Sequence, residues 1–321
     1  MKEIPRFTLE YDTAFAPVSY DLVTSLAILR AHGLKRFGSA EINVIIKESR
    51  GRRVGIEANY DDKYVRKKTI DVLIGIASRC AWVKSFALID RESDISLACN
   101  SILLPTAEAK KRRRPDVPEW VITPYSVRQL EDAYQDPLYP FLQDGFVPSD
   151  ASLRWARSIL PSDSTVLHPR SSLFSEERNT PVALFEKLAR RVSPSRVFMV
   201  PDIEGLASAA DWEAIGITPI PEAAGSLDLR LALATACKLN VMWNAGNSYP
   251  LHFSGVNFII FGVLNSLNAI STEAYFRRKG PFPYRNPPWF GTNQHYDWTD
   301  AVILSADYVS DTIFSYLQNL D

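Results

Sequence analysis

Residues 164–192 read STVLHPRSSLFSEERNTPVALFEKLARRV. A short apolar strand over 164–168 runs into a polar loop over 169–179. A helix over 181–192 follows, with Thr180 as its expected N-cap and Pro181 at the first helical position. Downstream the alternation repeats. Apolar periodicity predicts a strand over 196–200, a helix over 206–215, a strand over 218–220 and a helix over 227–238 capped by Ser226. A strand over 239–243, a short helix over 248–253, a strand over 258–261 ending at Gly262 and a terminal helix over 305–317 complete the series. Upstream, a helix over 149–160 begins it.

The first half shows the same order in a weaker form. A strand over 7–10 leads through a loop over 11–19 to a helix over 20–31 that is expected to end at Gly33. A nearly all-apolar strand over 42–46, a helix over 62–80 and a strand over 83–89 follow. Between the halves the prolines Pro105, Pro115, Pro118, Pro124, Pro137, Pro140 and Pro148 mark a long connection. It carries a basic run at 110–114, a strand expected over 120–123 and a helix over 127–134. The fold class is therefore α/β, with two Rossmann-like β/α/β domains facing each other across a cleft. The expected division is 1–148 and 149–321, with a terminal helix able to cross back to the first domain.

Composition narrows the possible partners. A net charge of -1 over 321 residues supplies no field for nucleic acid or an anionic membrane. No run of 18 apolar residues occurs, and the first dozen residues lack the apolar core of a signal peptide. A cytoplasmic protein with at most peripheral membrane contact is expected. Cys80, Cys99 and Cys237 lie far apart with no metal-ligand spacing, as expected of free thiols in a reducing compartment.

Three segments carry candidate chemistry. The loop after the strand at 164–168 holds His168, Arg170, Arg178 and Asn179 where open parallel sheets keep their ligands. The following helix start adds N–H groups suited to phosphate, and guanidinium forks match phosphate geometry. Pairing of the arginines with Glu176 and Glu177 is the alternative. A second turn, 243–252, reads WNAGNSYPLH. Gly246 permits close backbone approach, Asn244, Asn247 and Ser248 offer polar groups, and His252 is either a ligand or a packed core histidine. In the loop after the first strand, Asp12 is the carboxylate best placed as a base, a turn-forming role being the alternative. Neither a P-loop nor a G-x-G-x-x-G fingerprint is present, which removes the main support for kinase, ATPase and dinucleotide-binding functions.

Residues 164–262 resemble the nucleotide-binding domain of GT-B glycosyltransferases, especially the bacterial heptosyltransferase-like group and transferases of surface-polysaccharide clusters. The resemblance rests on LHPR at 167–170, NAGNSYPLH at 244–252 and FIIFG at 258–262. It extends to Arg178-Asn179, to Val200-Pro-Asp202 and to the segment bearing Gln294, Trp298 and Asp300. Two positions depart from the pattern. Asn247 stands where the heptosyltransferases usually carry aspartate, and Tyr249 where a small residue is expected. The resemblance implies a nucleotide-sugar donor on the second domain, held by His168, Arg170, Arg178, Asn179, Asp202, Asn244, Gly246, Asn247, Ser248 and His252. It further implies a glycan or glycoconjugate acceptor on the first domain, with Asp12 as base, and catalysis with no metal and no cofactor. A sugar-nucleotide epimerase or hydrolase of the same architecture and a non-catalytic nucleotide- or glycan-binding protein are the alternatives.

Overall fold

The computed structural model describes residues 6–13, 18, 20–48, 67, 69–90, 101–104, 142–172, 176–192, 196–264, 294–300 and 304–320. The chain divides into two compact units, Met1–Phe146 and Val147–Asp321.

In the first unit, β1 (Arg6–Asp12) is followed by α1 (Asp21–Phe37) and β2 (Glu41–Glu48). A π-helical turn, Thr69–Ile74, continues as α2 (Gly75–Arg79), and β3 (Val83–Asp90) and β4 (Ser101–Leu104) follow. Among the described residues the sheet has the order β3-β2-β1-β4, every pair parallel. Helix α1 does not stop at Gly33. It runs on to Phe37 and ends at Gly38, whose φ of 73° is the left-handed cap conformation. Gly33 serves packing instead: a Cβ there would sit 2.2 Å from the Ala40 Cβ and 2.9 Å from the Phe7 ring. Strand β4 falls in what the sequence marks as connection, and its apolar ILL run pairs along β1. The expected strand at 120–123, the helix at 127–134, the basic run and Cys99 lie outside the described residues.

The second unit starts with α3 (Asp150–Ile159), capped by the Ser149 hydroxyl. It continues with β5 (Thr165–His168), a 3-10 turn Val182–Phe185 leading into α4 (Glu186–Val192), and β6 (Val197–Met199). A 3-10 turn Glu204–Ser208, α5 (Ala209–Ala214) and β7 (Thr218–Pro219) come next. Then follow α6 (Leu227–Ala236), capped by Ser226 as expected, and β8 (Leu239–Trp243). A 3-10 turn Gly246–Ser248, α7 (Tyr249–His252), β9 (Phe258–Leu264), β10 (Gln294–Asp300) and α8 (Ala306–Gln318) complete it. The all-parallel sheet runs β10-β9-β8-β5-β6-β7. Counted from β5, this is the 3-2-1-4-5-6 order of dinucleotide-type folds, and strand order reverses between β5 and β8.

Alternating side chains send one set to each face of this sheet. Leu167, Val197, Val241, Trp243, Ile259 and Phe261 pack with Phe185, Leu188, Trp212, Val309 and Ile313. Val166 and Val200 pack with Ala156, Leu160, Ala232 and Leu233 on the other face. Every residue of β5 and β8 is buried, because helices cover both faces.

Three details differ from expectation. Pro181, in extended conformation, precedes the 3-10 turn, and Thr180 caps no helix because its hydroxyl serves the preceding loop. Strand β9 passes through Gly262 to Leu264, since β10 pairs alongside it and places Trp298 opposite Gly262. The terminal helix α8, expected to be able to cross back, packs on α4 in the second unit. Val309 and Ile313 join its core, and Lys187–Asp307 and Arg191–Asp311 form ion pairs along the seam. Among the described residues no helix is long and apolar enough to cross a membrane.

The docking of α8 is measurable. Ile313 is fully buried, so Ile313→Ala should lower unfolding free energy by about 2–5 kcal/mol. Urea denaturation followed by circular dichroism reads this loss. A cost well under about 1 kcal/mol, the value for a surface substitution, would show that α8 is not part of the core.

Candidate functional site

The loop between β5 and the turn before α4 is closed on itself at both ends. The Arg170 N–H donates to the Thr180 hydroxyl at 2.8 Å, and the Thr180 N–H returns a bond to the Arg170 carbonyl at 2.9 Å. Within this clasp, Asn179 Oδ1 accepts from Arg170 Nη1 and from the Ser172 N–H at 2.9 Å. Asn179 Nδ2 donates back to the Ser172 carbonyl at 3.0 Å. The loop is also tied to the end of β8: Trp243 Nε1 donates to the Arg178 carbonyl at 3.2 Å, and Arg178 Nη2 reaches the Asn244 carbonyl at 3.4 Å.

Arg170 and Arg178 are thereby held as neighbours. Burial, then the Arg178 charge, lowers the Arg170 pKa to about 10, against the pull of Asp202, Glu177 and Glu204. Arg170 remains a cation at neutral pH. Two like charges held by a common loop repel, and an anion placed between them would relieve that cost.

Asp202, just past β6, links the adjacent turns. Its Oδ2 accepts from the Ser171 N–H at 3.2 Å, and its Oδ1 from Asn247 Nδ2 at 2.7 Å. Asn247 Nδ2 also donates to the Pro169 carbonyl at 3.1 Å. Behind the carboxylate lies Arg230 of α6, 1% exposed, with Nη2 at 3.7 Å from Asp202 Oδ1 and donating at 2.8 Å to the Pro201 carbonyl. Burial pushes the Asp202 pKa up, and Arg230, the Ser171 N–H and Asn247 pull it down. The side chain keeps 23% exposure, so the desolvated part is the one facing the sheet.

The structure thus gathers Arg170, Arg178, Asn179, Asp202, Asn244 and Asn247 at the ends of β5, β6 and β8, around the point where strand order reverses. Two residues expected here are corrected. His168 is fully buried. Its Nε2 lies 2.9 Å from Asn240 Oδ1, and its Nδ1 lies 3.4 Å from Arg230 Nη1. Because Asn240 Nδ2 donates to the Ala234 and Asn257 carbonyls, Asn240 Oδ1 is an acceptor, and the histidine proton sits on Nε2. Burial and the Arg230 charge lower the His168 pKa to about 3. A neutral imidazole with both nitrogens engaged by protein is a scaffold and not a phosphate ligand.

His252, 1% exposed, packs among the rings of Tyr249, Phe253 and Phe258, and burial lowers its pKa to about 3. It is the core histidine of the two alternatives. Ser248 turns its hydroxyl back to the Ala245 carbonyl at 2.6 Å, while Gly246 opens the turn at an exposed position. Asp12 ends β1 opposite Lys47, and its side chain lies outside the described residues.

Sequence reasoning missed Arg230 and Asn240, and gave Thr180 a helix-capping role where its hydroxyl instead accepts from the Arg170 N–H. Arginine at position 230, in helical step with Leu227, Leu231 and Ala234, and asparagine inside the buried strand LNVMW were the available signals, since a polar residue on a buried face needs partners.

No model of a known protein family matches the sequence, and no curated protein matches it. Solved structures do. ADP-heptose lipopolysaccharide heptosyltransferase II of Escherichia coli superposes with a TM-score of 0.60 at 13% identity, over 98% of this chain and 99% of that one. The chain has the GT-B fold. A family 9 glycosyl transferase from Veillonella parvula is similar, with a TM-score of 0.57 at 10% identity over 99% of this chain and 98% of that one. In GT-B terms, the site described here sits at the strand ends of the second Rossmann-like domain.

Two measurements test the buried polar network. Arg230→Ala removes the counter-charge from Asp202 and should cost about 3–5 kcal/mol at neutral pH, as expected when a buried pair is broken. A loss within about 1 kcal/mol, the range of exposed pairs, would show the pair to be solvated. The histidines give a pH signature. Folded pKa values near 3 lie below the unfolded value of 6.5, so the unfolded chain takes up protons first as pH falls. Stability is fully present above pH 6.5 and is lost between 6.5 and about 3. Between about pH 6.5 and 5 each histidine should withdraw about 2 kcal/mol. His252→Phe should remove its share of that slope in urea titrations at the two pH values, and an unchanged slope would place His252 in water.

Proposed function

We propose that this protein is a metal-independent glycosyltransferase that binds a nucleotide-sugar donor on its second unit. The observation carrying the proposal is the pair of guanidinium groups, Arg170 and Arg178, held by one clasped loop at the reversal of strand order. In parallel α/β sheets ligands occupy that position. The GT-B fold supports the same reading, because the two similar structures carry the names of a heptosyltransferase and a family 9 glycosyl transferase.

In the proposed reaction an acceptor hydroxyl of a glycan or glycoconjugate attacks the anomeric carbon of the donor sugar. The bond from that carbon to the phosphate oxygen breaks, and the nucleoside diphosphate leaves with both electrons. Arg170 and Arg178 neutralise the charge growing on the leaving group, so their contribution is larger in the transition state than in the bound donor. Asp12, at the end of β1, is the carboxylate proposed to receive the hydroxyl proton. Assembly of a bacterial surface polysaccharide at the cytoplasmic side, with at most peripheral membrane contact, is the proposed setting.

A nucleotide-binding protein without transfer activity is the second reading, and one observation favours it. Asn247 spends its amide protons on Asp202 and the Pro169 carbonyl, which turns part of the β8 turn to structural use. The epimerase or hydrolase alternative needs a histidine presented to the sugar, and His168 and His252, buried and neutral, do not supply it. It would have to come from His32 or His295.

Titration calorimetry with ADP and UDP separates these outcomes. If the arginines hold the diphosphate, Arg170→Ala or Arg178→Ala removes a charge-assisted bond of about 1.5–3 kcal/mol, a loss of roughly 10- to 100-fold in affinity. Lysine should restore part of it, keeping the charge but not the fork. Unchanged affinity in both alanine variants would end the donor-site assignment. Nucleotide binding with no transfer from any nucleotide sugar would select the second reading.

A further inference from the structure

The eight residues of β3, Val83–Asp90, form one edge of the first unit's sheet. Among the described residues β3 has a strand partner on one side only, β2. Lys84, Ser85, Phe86, Ala87 and Leu88 are all exposed, with Phe86 at 41% and Leu88 at 36%. Exposed edges are usually blunted by a central charge, a proline, a bulge or a covering element. The stretch 85–89 reads SFALI and contains no charge, no proline and no glycine. The one irregularity of register lies opposite Ile42 and Asn43, at the start of the strand.

The sequence of this edge is complementary to itself. When two copies run antiparallel about a twofold axis at Ala87, position 86 stands opposite 88, and position 84 opposite 90. That register sets Phe86 against Leu88 twice. It also sets a lysine against an aspartate at both ends of the ladder. Lys84 has 62% of its side chain exposed, and its ion pair to Glu41 Oε1 is long at 3.7 Å.

We infer that β3 is a self-association edge, and that two copies of this chain pair antiparallel through Val83–Asp90 into one continuous sheet. The twofold places the small Ala87 at the axis, where the two backbones pass closest. Phe86 and Leu88 of each copy cover one another on one face of the joined sheet. A ladder of this length buries less than a standard interface of roughly 1,600 Å², so the dimer is weak and concentration-dependent.

Sedimentation velocity on the full chain from roughly 1 to 200 µM, a range suited to a small interface, tests the inference. The sedimentation coefficient of the wild type should rise with concentration to that of a dimer. Lys84→Glu puts like charges at both ends of the ladder and should weaken association by roughly tenfold. The double variant Lys84→Glu/Asp90→Lys should restore it. Leu88→Lys, which keeps the backbone and introduces a charge at the centre, should leave a monomer whose circular dichroism matches the wild type. A wild type that stays monomeric throughout, a Lys84→Glu variant that dimerises like the wild type, or a charge reversal that fails to restore association would overturn the inference.

Discussion

The carboxylate of Asp202 binds groups from three other parts of the second unit: the Ser171 N–H past β5, the Asn247 amide past β8 and the guanidinium of Arg230 on α6. Strands β6 and β8 flank β5 on opposite sides, so one side chain spans the place where strand order reverses. The same two turns are also joined by Asn247 donating to the Pro169 carbonyl and by Arg178 with Trp243 and Asn244. A charge so placed carries a desolvation cost, and Arg230 offsets it from the buried face of α6.

That constraint explains why several polar residues near the site face inward. His168 occupies the last position of β5, where its neighbours are Asn240 and Arg230. The positive charge beside it and the lack of water keep its ring neutral, and a neutral ring can accept from the arginine. Arg230 is thus engaged by His168, the Pro201 carbonyl and Asp202. Arg170 and Arg178 lie close enough that, after burial, the Arg178 charge lowers the Arg170 pKa, against the pull of Asp202, Glu177 and Glu204. Thr180 and Asn179 bond to Arg170 as neutral partners, so those two contacts add no counter-charge to its guanidinium.

The two sheets treat their edges differently. The second sheet ends at β7, two residues long, and β10, whose Gln294 side chain is buried and bonded to the Val256 carbonyl. A two-residue edge such as β7 offers little backbone to pair with. Among the described residues one edge of the first sheet is β3, whose residues 84–88 are exposed and include Phe86 and Leu88. Edge protection depends on side chains as much as on fold, so two domains of one topology can differ in what they bind along their edges.

The amino-acid sequence by itself determined the alternation of strands and helices, because apolar period, helix caps and prolines act over a few residues. It also placed Arg170, Arg178, Asn179, Asp202, Asn244 and Asn247 in turns after strands, since each follows an apolar run that could be read locally. It did not distinguish a glycine that ends a helix from one that packs, as at Gly33, because Phe7 and Ala40 approach only in the folded unit. Nor could it separate ligand from scaffold among polar residues. Arg230 lies 28 positions beyond Asp202, and Asn240 lies 72 beyond His168. Strand pairing, and the packing of α6 against the sheet, bring such groups together. Only the tertiary structure decided that His168 is a neutral core residue and Arg230 its neighbour, because burial and charge proximity are set by contacts distant in sequence.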